Sequence, residues 1–460
     1  MKLEGLLSGG AGQEGIRRLL ISPAARQVLR RELGTLLSPS ARLGSCRLRR
    51  VRFRVQPDIK LSATFEADVQ TAGSDQCLAR PISISWKPAW IGKVSAPKPD
   101  AIAMEDEARE RGLAAPFRRL TAQIPEWGMR IQVAPLDTAF PQSVRVSDPE
   151  YVRGMLKRAC ASSRYAAARR IRITAIRYYP GLRHVLRYDL LNRVERASVF
   201  AKVYNNGEGR GVYRVTAQAA EWLQTCAKGL TVLPPLAYVP NDFVVLYPLL
   251  LGEPLDEQLR NPRHNIGRQL ERAGEIVRAL HGAPETIARS LKPHSFEAEI
   301  AEVVEASRHI SVLFPPAGAL IRTILDRASA LHSLLAQEPP TFTHGDLKLE
   351  HFWIAPRRLT LIDFDMARLA DPALDIGQFW ADLEMACDAH GVQHEQAEKK
   401  FLASYAAQAP AERLLRARLY QALELIKISG RRIPIFDCNW AARVQRLISR
   451  ASTLLADAPP

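Results

Sequence analysis

Apolar residues recur at helical spacing near the start of the chain. Ile16, Leu19 and Leu20 are followed by Val28, Leu29 and Leu33, so residues 1–45 are expected to be helical. From 46 to about 90 the period changes to two. Val51, Phe53 and Val55 alternate with arginines, and Ile82, Ile84 and Trp86 with serines, which predicts strands with one buried and one polar face. Residues 91–150 are proline-rich, hold one predicted helix at 100–112, and read as a connecting layer. A second strand-rich block follows, with strands at 171–179 and 184–190 joined by Pro180-Gly181, a turn pair, and a third at 198–204. A helix over 215–227 and an apolar strand over 243–250 come next. Beyond them the pattern is mainly helical, broken by two short strands near 352–354 and 359–362.

Arg54, Pro57, Lys60, Phe65 and Glu66 lie 123 positions before Arg177, Pro180, Arg183, Tyr188 and Asp189. The pairs are identical or chemically alike. The first strand block is therefore either a degenerate repeat of the second or a coincidence among arginine-rich strands.

At 460 residues the chain exceeds what one core usually supports, so two or three domains are expected. The 47% apolar and 24% charged content is that of an ordinary globular protein. No stretch approaches the roughly 20 apolar residues of a membrane span. The first twenty residues lack the apolar run of a secretory signal, and a cytoplasmic location is expected. Six cysteines are scattered without a CxxC pair, so reduced thiols are expected instead of disulfides or a zinc site. The net charge of +16 is spread along the chain, densest at 47–54 and 169–172. It reads as a solvated basic face, with attraction of phosphate-bearing substrates as the other reading. No RGG tract, zinc finger or polybasic tail points to nucleic acid.

The chemistry concentrates in three segments: Thr343-His-Gly-Asp-Leu-Lys-Leu-Glu-His351, Leu361-Ile-Asp-Phe-Asp365 and Asp371-Pro-Ala-Leu-Asp375. Asp346 falls on a short loop before one predicted strand, and Asp363 follows the next. A hairpin of those strands holds both carboxylates at one cleft edge. Phosphoryl transfer needs that arrangement, because one carboxylate takes the hydroxyl proton and another holds the magnesium that bridges the phosphates.

With these motifs the sequence resembles the aminoglycoside phosphotransferase and choline kinase family, whose hallmark is HGDxxxxN, then IDF or IDW, then DPxxD. The resemblance covers roughly 171–450 and includes Leu251-Gly-Glu-Pro-Leu255 and Ala279-Leu-His-Gly-Ala283. It implies an α+β, two-lobed protein-kinase-like fold with an added N-terminal cap. The cap takes 1–150, the N-lobe 151–248, and a helical C-lobe 249–460. It implies ATP and Mg2+ as cofactors and a phosphotransferase acting on a small-molecule hydroxyl, whether of a sugar, a polyol, or an aminoglycoside-like or choline-like acceptor. Asp346 then matches the catalytic base and Asp363 the magnesium ligand. Lys202 matches the lysine that steadies the α- and β-phosphates, Glu221 is its acidic partner in the following helix, and Tyr247 belongs to the hinge. His344 packs beneath the loop, Asp371 and Asp375 cap the next helix and brace the loop, and Asp365 is a second metal contact or a solvated acid. Trp380, Glu384 and Trp440 wall the acceptor site.

Two departures stand out. His351 takes the place of the family's metal-binding asparagine and offers nitrogen where magnesium prefers oxygen, so it either joins the metal site or bonds a phosphate or a metal-bound water. No glycine-rich loop exists, which leaves Gly181, with Arg183 or His184, to meet phosphate. Residues 376–460 hold nine acidic and eleven basic residues, a balance that favours a neutral or anionic acceptor over a polycation. These departures also support an alternative, a nucleotide-binding pseudokinase or regulatory module.

Overall fold

The computed structural model describes residues 12–456, apart from 72–76, 95, 97, 162–163, 168, 192–195, 227, 261–265 and 407–408. The chain opens with helices α1 (Gly12–Ile21) and α2 (Pro23–Leu36). Ser22 divides them. Its hydroxyl accepts from Ala25 N, and Pro23 occupies the first turn, where no amide hydrogen is needed. The strand pattern begins at residue 41, earlier than the helical expectation for 1–45 allowed, and the expected helix over 1–11 lies outside the described residues.

Five strands form the first sheet: β1 (Ala41–Arg54), β2 (Lys60–Thr71) and β3 (Cys77–Trp86), then β4 (Thr121–Ile124) and β5 (Met129–Val133) after helix α3 (Pro99–Glu110). Their order is β1-β2-β3-β5-β4. Along β2 alternate residues Leu61, Ala63, Phe65, Ala67 and Val69 are buried, and the apolar face meets α1 and α2 through Leu20, Leu29, Phe65 and Trp86. The proline-rich layer thus contains a hairpin. Pro125 masked it in the sequence, because it sits in the turn rather than in a strand.

After helix α4 (Pro149–Ala159), a second sheet is built from β6 (Arg170–Tyr179), β7 (Arg183–Leu191) and β8 (Arg196–Val203). Helix α5 (Glu208–Cys226) and β9 (Leu230–Val232) precede its last two strands, β10 (Ala237–Val239) and β11 (Val244–Pro248). The order is β10-β11-β8-β7-β6. Helix α5 starts earlier than expected, because Asn206 caps Glu208 N and the glycines at 207, 209 and 211 do not break it.

Both sheets follow one path: three antiparallel strands, a helix, then a hairpin whose second strand pairs with the third strand. Each hairpin turns through a proline-led 3-10 turn, Pro125–Trp127 or Pro240–Asp242, closed by a left-handed residue, Gly128 (φ 51) or Phe243 (φ 49). Aligned on that turn, Trp86 pairs with Met129 as Val203 pairs with Val244, so Ser85 stands where Lys202 does. Lys60 then matches Arg183, as the spacing in the sequence indicated, but Arg54 matches Tyr179 and not Arg177. The first strands are offset by two further residues because the β6–β7 hairpin closes more tightly.

The rest of the chain is helical around short strands. β12 (Glu253–Pro254), α6 (Leu255–Leu259), α7 (Gly267–His281), α8 (Glu285–Ala288), α9 (Phe296–Leu313) and α10 (Pro315–Leu334) lead to β13 (Thr341–Thr343). β14 (Phe352–Ala355), β15 (Arg358–Leu361) and β16 (Arg368–Ala370) come next, then α11 (Ala373–His390), α12 (His394–Tyr405), α13 (Ala411–Arg431) and α14 (Trp440–Ala456). β15 runs parallel to β9 and antiparallel to β14, which ties the helical part to the second sheet's segment. Helices α11 and α13 touch backbone to backbone at Gly377, where a Cβ would lie 2.5 Å from the Tyr420 Cβ and 2.6 Å from the Ala417 carbonyl. No described helix is long and apolar enough to cross a membrane.

Candidate active site

The loop carrying Asp346 leaves β13, which is paired with β16. One face of α11 holds it. Asp375 accepts from His344 N (2.7 Å) and Gly345 N (2.8 Å), Gln378 from Leu347 N (3.1 Å), and Asp382 from Leu349 N (2.7 Å). Positions 375, 378 and 382 share a helical face, so a single helix satisfies four loop amides. His281 Nε2 lies 3.1 Å from Asp375 and fixes its rotamer. Gly345 has φ 74, and a Cβ there would lie 2.1 Å from the Met366 carbonyl, which is why the loop needs glycine. His344 donates from Nε2 to Ile362 O at 2.9 Å and packs beneath the loop. Asp371 caps Ala373 N (2.9 Å) and pairs with Arg416 Nε (2.7 Å).

Asp346 is about one third exposed and accepts from Lys348 Nζ at 2.8 Å. Burial works to raise its carboxyl, but Lys348 and the neighbouring imidazoles outweigh it and hold the group below its ordinary value.

Asp363, just past β15, has left-handed backbone (φ 72, ψ 60). With Asp365 it forms a buried ionic cluster under the second sheet. Lys202 Nζ on β8 lies 2.7 Å from Asp363 and 3.0 Å from Asp365, Arg183 on β7 lies 2.7 Å from Asp365 and 3.6 Å from Asp363, and Tyr204 donates to Asp365 at 3.0 Å. The Tyr247 ring centroid is 5.6 Å from Lys202 Nζ. Burial works to raise the Asp363 carboxyl, yet Lys202, His351 and Arg183 hold it well below its usual range. Burial disfavours the Lys202 ammonium, but Asp363 and Asp365 hold it above its ordinary value.

Several expected placements need correction. Glu221 is exposed, and the carboxylates beside Lys202 are those of Asp363 and Asp365. The sequence left Asp365 as either a second metal contact or a solvated acid; the fold shows it largely buried and paired with Arg183 and Lys202. Trp380, Glu384 and Trp440 are buried core residues. Glu384 accepts from Arg450 Nε (2.5 Å) and Gln421 Nε2 (2.8 Å). The face of α11 one step round, with Asp382, Met385 and Ala386, lines the open cleft instead. Gly181 (φ 70) forms the β6–β7 turn, and its N–H donates 2.8 Å to Asp137, a residue the sequence did not single out. His184 Nε2 lies 2.8 Å from the same carboxylate, so it serves the turn rather than a phosphate.

His351 is buried between the two carboxylate sites. Its Nε2 is 3.7 Å from Asp363, its Nδ1 is buried with no hydrogen-bond partner, and burial pushes its pKa down to about 4. Among the described residues no three His, Cys, Asp or Glu side chains form a metal cage. Magnesium needs only one or two carboxylates when phosphates and water complete its shell, so the Asp363–Asp365 pair fits it.

A family model described as the phosphotransferase enzyme family matches residues 190–423. No curated protein matches the sequence. Similar solved structures include APH(2")-IIia in complex with GDP and kanamycin, at 16% identity, TM-score 0.45, covering 67% of this chain and 98% of that one. Spectinomycin phosphotransferase APH(9)-Ia with ADP and spectinomycin is similar at 13% identity, TM-score 0.46, with 67% and 98% covered. A choline/ethanolamine kinase family protein from Mesorhizobium loti matches at 16% identity, TM-score 0.45, with 66% and 94% covered. The matched segment exceeds half the chain and holds Lys202, the HGD loop, Asp363 and the DPxxD helix, so the chain belongs to the phosphotransferase enzyme family.

Proposed function

We propose that the chain transfers the γ-phosphoryl group of ATP to a hydroxyl of a small molecule. One observation carries this reading: two separately prepared carboxylate sites share one frame. Asp346 stands on a loop held by α11, and Asp363 with Asp365 lies beneath Lys202 and Arg183. Asp346, kept ionised beside Lys348, takes the acceptor's proton as the new O–P bond forms. The bond from the γ-phosphorus to the bridging oxygen breaks, and ADP leaves with that electron pair. Lys202 and Arg183 are the cations that face the donor phosphates, Tyr247 borders the nucleotide at the end of β11, and Gly181 forms the turn above it. Asp363 and Asp365 would hold Mg2+, which when bound neutralises charge between the phosphates. His351, neutral and nitrogen-bearing, stands 3.7 Å from Asp363, where it would reach the same metal directly or through a bound water.

Asp346→Asn keeps the shape but cannot take the proton. ATP consumption, measured over sugars, polyols, aminoglycosides and choline-like alcohols, is expected to fall about 10²–10⁴-fold while nucleotide affinity holds. Turnover within threefold of the parent rejects Asp346 as the base. A parent chain that binds ATP but consumes it with none of these acceptors is a nucleotide-binding module instead.

A further inference from the structure

Beside the Asp346 loop lies a cleft of about 1190 Å³, floored by Lys348 and the Asp382 face of α11 and roofed by β1 and β6. Ten arginines and lysines line it against five carboxylates, so it is strongly basic. Four of the five lie within 4.0 Å of an arginine, and Glu350 faces the neutral His351. Glu66 pairs with Arg49, Glu305 with Arg308, and Asp382 with Arg432. Asp256 stands 4.0 Å from Arg260 and Glu350 3.8 Å from His351. The arginines left over are Arg52, Arg54 and Arg177, none of which has an ion pair among the described residues, and Arg50, which lies over the Tyr179 ring at 4.1 Å.

Strand geometry explains the grouping. Arg50, Arg52 and Arg54 alternate along β1 and so share one face. Across the ladder they meet Thr64, Ser62 and Lys60, with Ser83 and Ser85 beyond, and this face lines a further cavity of about 310 Å³. The only carboxylate there, Asp137, is engaged by Gly181 and His184. The opposite face of the same strands is apolar and covered by α1 and α2, so the arginines cannot turn away. Burial and then Arg50 and Arg54 disfavour the Arg52 charge more than Glu305 offsets, and burial and then Arg54 disfavour that of Lys60 more than Asp137 offsets. Such uncompensated like charge is costly unless an anion joins it. The donor phosphates do not supply one, because Lys202 and Arg183 serve them and neither lines this cleft.

We propose that the acceptor is a hydroxylated small molecule bearing several negative charges, phosphate or carboxylate, held between the β1 arginines and Lys348 with its hydroxyl at Asp346. This rests on the kinase reading above and deepens it. In it the first sheet, which stands in the N-terminal part with serine where the second sheet has Lys202, serves the acceptor and not the nucleotide. An anion bridging Arg52 and Arg177 would draw β1, β6 and the catalytic loop together.

The test compares neutral compounds with anionic counterparts in two series, glucose with gluconate for carboxylate and glucose and sorbitol with their 6-phosphates for phosphate, alongside kanamycin and a twelve-nucleotide single strand. Binding is followed by calorimetry on the full chain and on Asp346→Asn, and ATP consumption on the full chain. Anionic members are expected to bind at least tenfold more tightly, phosphates and carboxylates being ranked by the two series. Arg52→Gln with Arg54→Gln should weaken that binding about tenfold or more and raise KM far more than it lowers kcat. Equal or better use of the neutral compounds or kanamycin overturns the inference and leaves the kinase reading standing. Arginine-dependent binding of the sugar phosphates without ATP consumption supports the anion site and counts against the kinase reading. Tighter binding of the oligonucleotide than of any sugar phosphate overturns the proposal in favour of a nucleic-acid surface.

Discussion

His351 is closely surrounded: the His344 ring lies tilted across it at 5.4 Å, Asp363 lies 3.7 Å from one ring nitrogen, and the other nitrogen meets no partner. A protonated imidazole there would be buried, and burial holds its pKa at about 4. The unfolded chain binds that proton at about pH 6.5. Between those values the unfolded state carries the extra proton, so stability falls as pH drops from about 6.5 to 4, by about 1.4 kcal/mol per unit for one such group. His351→Asn removes the titration. The expected result is a flatter stability profile for the variant over this window, read from denaturant melts at matched pH; parallel profiles would show that His351 is already charged in the fold. The same variant places an amide oxygen beside Asp363. It is expected to keep or raise turnover with magnesium, while the parent performs comparatively better with manganese. Rates for both chains with both ions check this, and a variant inactive with either ion but still binding ATP would assign His351 to the acceptor.

At the scale of elements, the loop that carries Asp346 is a product of α11. Asp375, Gln378 and Asp382 recur on one helical face and take up the amides that the loop leaves open. Asp375→Ala strands two buried N–H groups and removes the partner of His281 Nε2, leaving that ring only its Tyr405 contact, and each stranded group costs about 1–3 kcal/mol. Thermal unfolding is expected to fall accordingly, with turnover lost faster than nucleotide affinity because the loop carries Asp346 and not Lys202. A variant with parental stability would show that the loop is held from elsewhere. Gly345→Ala fails for a different reason: its positive φ and a Cβ 2.1 Å from the Met366 carbonyl leave no room without moving β16.

Over the whole molecule, the two sheets meet at the β6–β7 turn. Asp137 accepts from Gly181 N and contacts His184, and Tyr178 donates to Leu136 O at 2.6 Å, so the first sheet's segment fixes the turn that a glycine-rich loop would otherwise form. Asp137→Ala is expected to destabilise the fold by about 1–3 kcal/mol and to weaken ATP binding, measured by denaturant melts and nucleotide titration. Unchanged nucleotide affinity in a folded variant would separate the turn from the donor site. Much of this architecture could be read along the chain. The alternation of apolar residues in β1, β2, β6 and β7, the HGD, IDF and DPxxD motifs, and the helical spacing of Asp375, Gln378 and Asp382 are local patterns, and local patterns set secondary structure and motif identity by steric period and hydrogen-bonding capacity. Which charges meet is not local. Lys202 lies more than 160 positions before Asp363 and Asp365, and no spacing rule chooses them over Glu221. The helical face of Trp380 and Glu384 faces the core because α13 and α14 pack there, so the cleft wall falls to Asp382 and Met385. The β1 arginines look like any solvated strand face until α1 and α2 cover the other side and turn them toward Lys348. The sequence by itself determined most of the elements and the order of the HGD, IDF and DPxxD motifs; long-range packing decided the partners of the charges around Asp363, because a buried ion finds its counter-ion in space and not along the chain.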